Sequence, residues 1–95
     1  MLEKDITNKI LKYLRSLDKC YFFKEHGGSY GIAGIPDIIC CYHGRFVAFE
    51  VKTAKGRTTV LQDINIRNIH SACGIAVVVR NLDEVKSVLK ELDAD

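Results

Sequence analysis

Hydrophobic and polar positions alternate along the chain in two rhythms, and the switches between them mark out the elements. Leu2, Ile6, Ile10, Leu14 and Leu17, with Leu11 and Tyr13 beside them, recur at helical spacing, which predicts an amphipathic helix over residues 2–18. Cys20 to Lys24 is short and aromatic, a strand pattern. His26 to Gly34 holds four of the seven glycines and predicts a loop. Asp37 to Tyr42 and Arg45 to Lys52 are β-rich runs on either side of His43-Gly44, a tight-hairpin signal. Thr59-x-x-Gln62 is a capping box ahead of Leu61, Ile64, Ile69 and Ala72, so a second helix is expected over 59–72, ended by Gly74. Ile75 to Val79 reads as a buried strand. Asn81-x-x-Glu84 then starts a last helix carrying Leu82, Val85, Val88, Leu89 and Leu92.

The predicted order is αβββαβα. Three strands with short links make an antiparallel meander, and the crossover from residue 52 to residue 75 requires a parallel neighbour. Both faces of the central hairpin are apolar, Val47 and Phe49 on one and Phe46 and Ala48 on the other. A sheet buried on both sides needs helices on both sides. The expected architecture is therefore an α/β/α sandwich on a mixed sheet, one domain over residues 1–95.

Composition changes this picture little. Charged residues are 27% and hydrophobic ones 47%, ordinary globular usage. No apolar run approaches the ~20 residues of a membrane span, and no leader pattern opens the chain. The four cysteines form no C-x-x-C pair, so they are expected to be reduced, buried, apolar fillers in a cytoplasmic protein. Histidines 26, 43 and 70 are assigned to loop, turn and helix surface. The net charge of +2 does not point to nucleic acid by itself, but it hides an asymmetry. Residues 51–80 carry five basic residues against Asp63, and residues 81–95 carry two basic against five acidic.

The hairpin register supplies the candidate chemistry. If Tyr42 opposes Arg45, opposed residues sum to 87, and Asp37 faces Glu50. The two-residue period puts Lys52 on the same face as Glu50. Like charges in opposition cost stability unless a cation belongs between them. Oxygen ligands select a hard ion, Mg²⁺ or Mn²⁺, which would activate water and neutralise a phosphate while the lysine orients the water. The competing reading is a solvated sheet end at which Lys52 simply pairs the acids.

Pro36-Asp37, followed after twelve residues by Glu50-Val51-Lys52, resembles the PD-(D/E)XK nuclease signature. With Gly34-Ile35-Pro36-Asp37-Ile38-Ile39, the run from His43 to Lys52, Leu61-Gln62 and the run from Gly74 to Val79, the chain resembles stand-alone VRR-NUC (virus-type replication-repair nuclease) domains over nearly its whole length. It is also similar to archaeal Holliday-junction resolvases. The resemblance implies a restriction-endonuclease-like sandwich, with Asp37, Glu50 and the main-chain carbonyl of Val51 holding the metal and Lys52 assisting the water. Glu3 would match the family's helical acid, unless it serves only as an acid on a helix N-terminus. Gln62 would match the family's glutamine, although the capping box alone explains it. Ser29 sits where the resolvases carry a loop serine, and Lys55 and Arg57 are candidates for DNA phosphates. The implied protein is a metal-dependent endodeoxyribonuclease that cleaves four-way junctions as a homodimer, with branched or duplex DNA as partner and no organic cofactor. It would work in the cytoplasm of a bacterium or a phage-infected host. Alternatives are a less selective nuclease or nicking subunit of a repair or replication machine, and a non-catalytic DNA-binding module of the same fold.

Overall fold

The computed structural model describes residues 1–25 and 32–94. Three helices and four strands follow the expected order: α1 (Glu3–Arg15), β1 (Cys20–Lys24), β2 (Ile38–Tyr42), β3 (Arg45–Val51), α2 (Val60–Ser71), β4 (Ile75–Val79) and α3 (Leu82–Asp93). The sheet order is β1-β2-β3-β4. The first three strands are antiparallel neighbours, and β4 lies parallel to β3. The turn between β2 and β3 has positive φ at both His43 (49°) and Gly44 (83°), the type I′ geometry whose twist matches paired strands. Tyr42 opposes Arg45 and Ile38 opposes Phe49, the expected register.

One face of the sheet is fully covered. Ile6, Ile10 and Leu14 of α1 and Val85 and Leu89 of α3 pack on Ile38, Cys40, Val47, Phe49, Val51 and Val79. At the turn end of the hairpin the Tyr42 hydroxyl donates to both Asp93 carboxylate oxygens, at 2.8 and 2.9 Å, and ties α3 to the sheet. The acidic last helix thus sits at the opposite end of the hairpin from Asp37. The other face is covered by α2, which packs on β4 and buries none of its own residues completely. The third layer is therefore partial. Tyr21 (73% exposed), Phe23 (45%) and Phe46 (45%) are left open to solvent on it.

Several local expectations need correction. Helix α1 stops at Arg15 rather than continuing to 18, because the amides of Ser16 and Leu17 bond three residues back, to Tyr13 and Leu14. The chain then leaves through Lys19 at φ 52°. Helix α2 ends in a Schellman motif, with Gly74 N–H on Ile69 O and Cys73 N–H on His70 O. The left-handed residue is Cys73 (φ 68°), not Gly74. Glycine is needed at 74 because a Cβ would stand 2.8 Å from Ile69 and 3.1 Å from Phe46. The thiols are free, yet only Cys40 is buried; Cys20 is half-buried, Cys41 is turned outward by alternation along β2, and Cys73 is exposed in the turn after α2. His70 is more than a surface residue, its Nε2 lying 2.8 Å from Ala76 O. His43 is in the turn, as expected, and stacks on Tyr42. His26 lies outside the described residues. No helix among them is long and apolar enough to cross a membrane.

Candidate active site

The site forms at the open end of the β2–β3 hairpin, on the α2 face. Asp37 immediately precedes β2, and its carbonyl accepts the Glu25 amide at 2.7 Å, extending the β1–β2 pairing beyond the strand ends. Its side chain turns toward β3, where Oδ2 accepts the Val51 N–H at 2.8 Å. Continuing the hairpin register by one step puts Asp37 opposite Glu50. Alternation along β3 then sends Glu50 to the α2 face while Phe49 and Val51 enter the core.

Glu50 is 1% exposed. Its Oε2 accepts from Gln62 Nε2 at 3.2 Å and lies 3.6 Å from Lys52 Nζ, itself in a side chain 12% exposed. Its Oε1 is buried and has no hydrogen-bond partner among the described residues. Burial, followed by the proximity and negative charge of Asp37, pushes the Glu50 carboxyl from 4.5 up to about 8, and Lys52 offsets only part of this. Without a cation, the pair is therefore held partly by a proton. Two carboxyl groups, one with a buried and unsatisfied oxygen, form a donor set suited to a hard divalent ion. A magnesium-type ion takes one or two carboxylates and keeps several waters.

Gln62 reaches Glu50 because of its place in the cap. Its Oε1 accepts the Thr59 amide at 2.9 Å while Thr59 Oγ1 accepts the Gln62 amide at 3.2 Å. With the oxygen engaged, the NH₂ end points to Glu50. Capping and contact with the acid pair, alternatives in sequence, are one geometry here. Gly34 holds the approach to Asp37 against this helix, since a Cβ there would come within 2.6 Å of the Leu61 backbone.

Glu3 is exposed in the first turn of α1. Among the described residues no group of three or more His, Cys, Asp or Glu side chains is gathered for a metal, so Glu3 does not join Asp37 and Glu50 directly. Asp5, not Glu3, reaches back to the first free amide of α1, that of Leu2, at 3.2 Å. Ser29 lies outside the described residues. Lys55 and Arg57 are exposed on the segment after Lys52. Arg80, which sequence reasoning counted only as charge, holds that segment in place. Its Nη1 donates to Thr53 O at 2.5 Å and Gly56 O at 2.8 Å, stapling the turn that carries Lys55 to the end of β4. The only signal for it in sequence was a cation closing an apolar strand.

No family model matches this sequence. No curated protein matches it either. Among solved structures, a protein described as a VRR_NUC domain protein superposes with a TM-score of 0.72 at 21% identity, covering 95% of this chain and 86% of the other. The chain thus has the αβββαβα fold of a VRR_NUC domain, the architecture its motifs led one to expect.

Proposed function

We propose that this protein is a metal-dependent endodeoxyribonuclease, acting on branched DNA and on four-way junctions in particular. The observation that supports this most is the buried Glu50 carboxyl, opposed to Asp37, with an unsatisfied oxygen and a lysine alongside. An acid pair of this kind weakens the fold when empty, which is understandable if its use is to hold an ion.

Asp37, Glu50 and the Val51 carbonyl would hold a Mg²⁺ or Mn²⁺ ion, which when bound supplies a water of lowered pKa and positive charge against the phosphate. Everything else falls to the chain. The Val51 amide fixes the Asp37 carboxylate, so that it can accept from or ligate through its second oxygen. Gln62 fixes Glu50 by one hydrogen bond. Lys52, close to Glu50 but not wholly enclosed, holds the attacking water by donating to it and balances charge growing on the phosphoryl oxygens. Lys55 and Arg57, on the turn stapled by Arg80, take flanking phosphates. Glu3, exposed in the first turn of α1, would act on such an ion only through an intervening water.

One such domain makes one nick at a time, so paired cuts in a junction call for a homodimer. The open face of β1, with Tyr21 and Phe23, is where a second copy would sit. The test is cleavage of labelled four-way junctions, flaps and linear duplex with and without Mg²⁺ or Mn²⁺. Asp37→Asn, Glu50→Gln and Lys52→Ala should each abolish cutting while junction binding persists. Cleavage by purified Asp37→Asn would refute the site, and equal cutting of all three substrates would refute the preference for junctions.

A further inference from the structure

On the same sheet face as Asp37 and Glu50 lies a cavity of about 460 Å³, walled by Ile35, Pro36, Ile39 and Phe46 on one side and Asn65 and Asn68 of α2 on the other. It exists because α2 covers β4 and leaves the β2–β3 part of the face open. Its size is within the range of small-molecule sites, about 300–1,000 Å³. Among the described residues no charged side chain lines it, which makes it a poor site for a phosphate. Its character is that of flat apolar walls with an aromatic ring and two carboxamides. Asn65 spends its NH₂ on Ala33 O and Leu61 O, at 3.2 and 2.9 Å. Its oxygen, and the whole Asn68 carboxamide, have no partner among the described residues.

We infer that this cavity receives the base of an unpaired or extruded nucleotide adjoining the phosphate presented to Asp37 and Glu50. The inference rests on the nuclease reading of that site and adds the feature of DNA that it selects. Three observations carry it. Pro36 both lines the cavity and precedes Asp37, so a base here and a phosphate at the acids are neighbours along one strand. Phe46, 45% exposed, offers a face for stacking, which is tolerant of base identity. The free carboxamide groups provide a donor and acceptors for a base edge, the pairing by which asparagine reads adenine. An apolar side chain from a second copy would instead cover both carboxamides and leave them unsatisfied. A base in an intact duplex cannot enter, so the cavity favours branch points, bulges and flaps even in a monomer.

Binding by the full chain is measured in metal-free buffer, where nothing is cut, on three duplexes: fully paired, with a single-nucleotide bulge, and with the same bulge made abasic. The natural chain should bind the bulge about tenfold more tightly than the abasic form, the size of one stacked base. Phe46→Ala and Asn68→Asp should each bring this ratio close to one. Asn68 is exposed on α2, so its substitution keeps the fold should Phe46→Ala not fold. Equal affinity for bulge and abasic DNA overturns the inference, as does a ratio unchanged in the Asn68→Asp protein. Sedimentation of Phe46→Ala showing a dimer become a monomer, with the ratio intact, assigns the face to a second copy and also overturns it. Discrimination in a protein that cuts no substrate would fault the nuclease reading and leave the cavity's role standing.

Discussion

Replacing Glu50 by glutamine isolates the energetic cost of the acid pair. The Glu50 carboxyl ionises near 8 in the folded chain, against an ordinary 4.5. A carboxyl whose folded pKa is raised binds its proton more tightly in the native state. Its stabilising contribution is whole below about pH 4.5 and is lost as pH climbs through the interval up to about 8. Each pKa unit is worth about 1.4 kcal/mol, so the full interval is worth about 5 kcal/mol. No discount for solvent is due, since the side chain is 1% exposed. That is a large part of the stability of a domain this size, about 5–14 kcal/mol. Glutamine mimics the protonated acid in shape and charge and cannot ionise. Urea unfolding without metal at pH 5, 6, 7, 8 and 9 should show the natural chain losing about 1.4 kcal/mol per unit between pH 5 and 8 relative to Glu50→Gln. The two should be close at pH 5, and the variant should be the more stable at pH 9. Because every ionisable side chain except that of residue 50 is present in both proteins, the difference between the curves belongs to residue 50 and its contacts with Asp37 and Lys52. Parallel curves would refute the reasoning. A saturating divalent ion should shrink the gap, since binding at a hundred times its Kd stabilises by about 2.7 kcal/mol.

Three further outcomes are expected. Gly34→Ala places a methyl 2.6 Å from the Leu61 backbone at a residue with φ +85°, so it should cost at least about 1–3 kcal/mol, read by urea unfolding. Tyr42→Phe removes the two hydrogen bonds to Asp93 at the far end of the hairpin, and should lower stability by about 1–2 kcal/mol, a Tm fall of roughly 4–16 °C, with cleavage rates at the permissive temperature unchanged. Arg80→Gln releases the turn Thr53–Gly56, and should weaken DNA binding and flatten its salt dependence by more than the loss of one distant charge would. Arg80→Lys, which keeps the charge and loses the planar fork, should behave like the glutamine variant; if it behaves like the natural chain, the stapling role is wrong.

The parts of this molecule legible in its sequence are those governed by short spacing. A two-residue turn at His43-Gly44 determines which residues oppose one another six positions away, so the facing of Asp37 and Glu50 follows from counting. The same holds for Thr59 and Gln62, whose hydrogen bonds span three residues. Features set by distant contacts were not legible. Nothing local to Arg80 says that two carbonyls 24 and 27 residues earlier need a donor. The exposure of Cys41 and the openness around Phe46 depend on how far α2 extends across the sheet. Sequence requires a helix on that side and does not give its footprint. At the end of α2 the glycine signal was genuine, but it answered to crowding by Ile69 and Phe46 rather than to the left-handed position one residue earlier.

The shared carboxamide of Gln62 has a consequence for how the empty and loaded states are told apart. The Thr59 and Gln62 amides are protected from solvent only while the cap is closed, and the same side chain closes the cap and holds Glu50. Opening the first turn of α2 therefore means letting go of the acid. Amide deuterium exchange at these two residues becomes a gauge of the acid pair, fast when the carboxyls repel and slow when an ion draws them together, readable on a chain that has never met DNA.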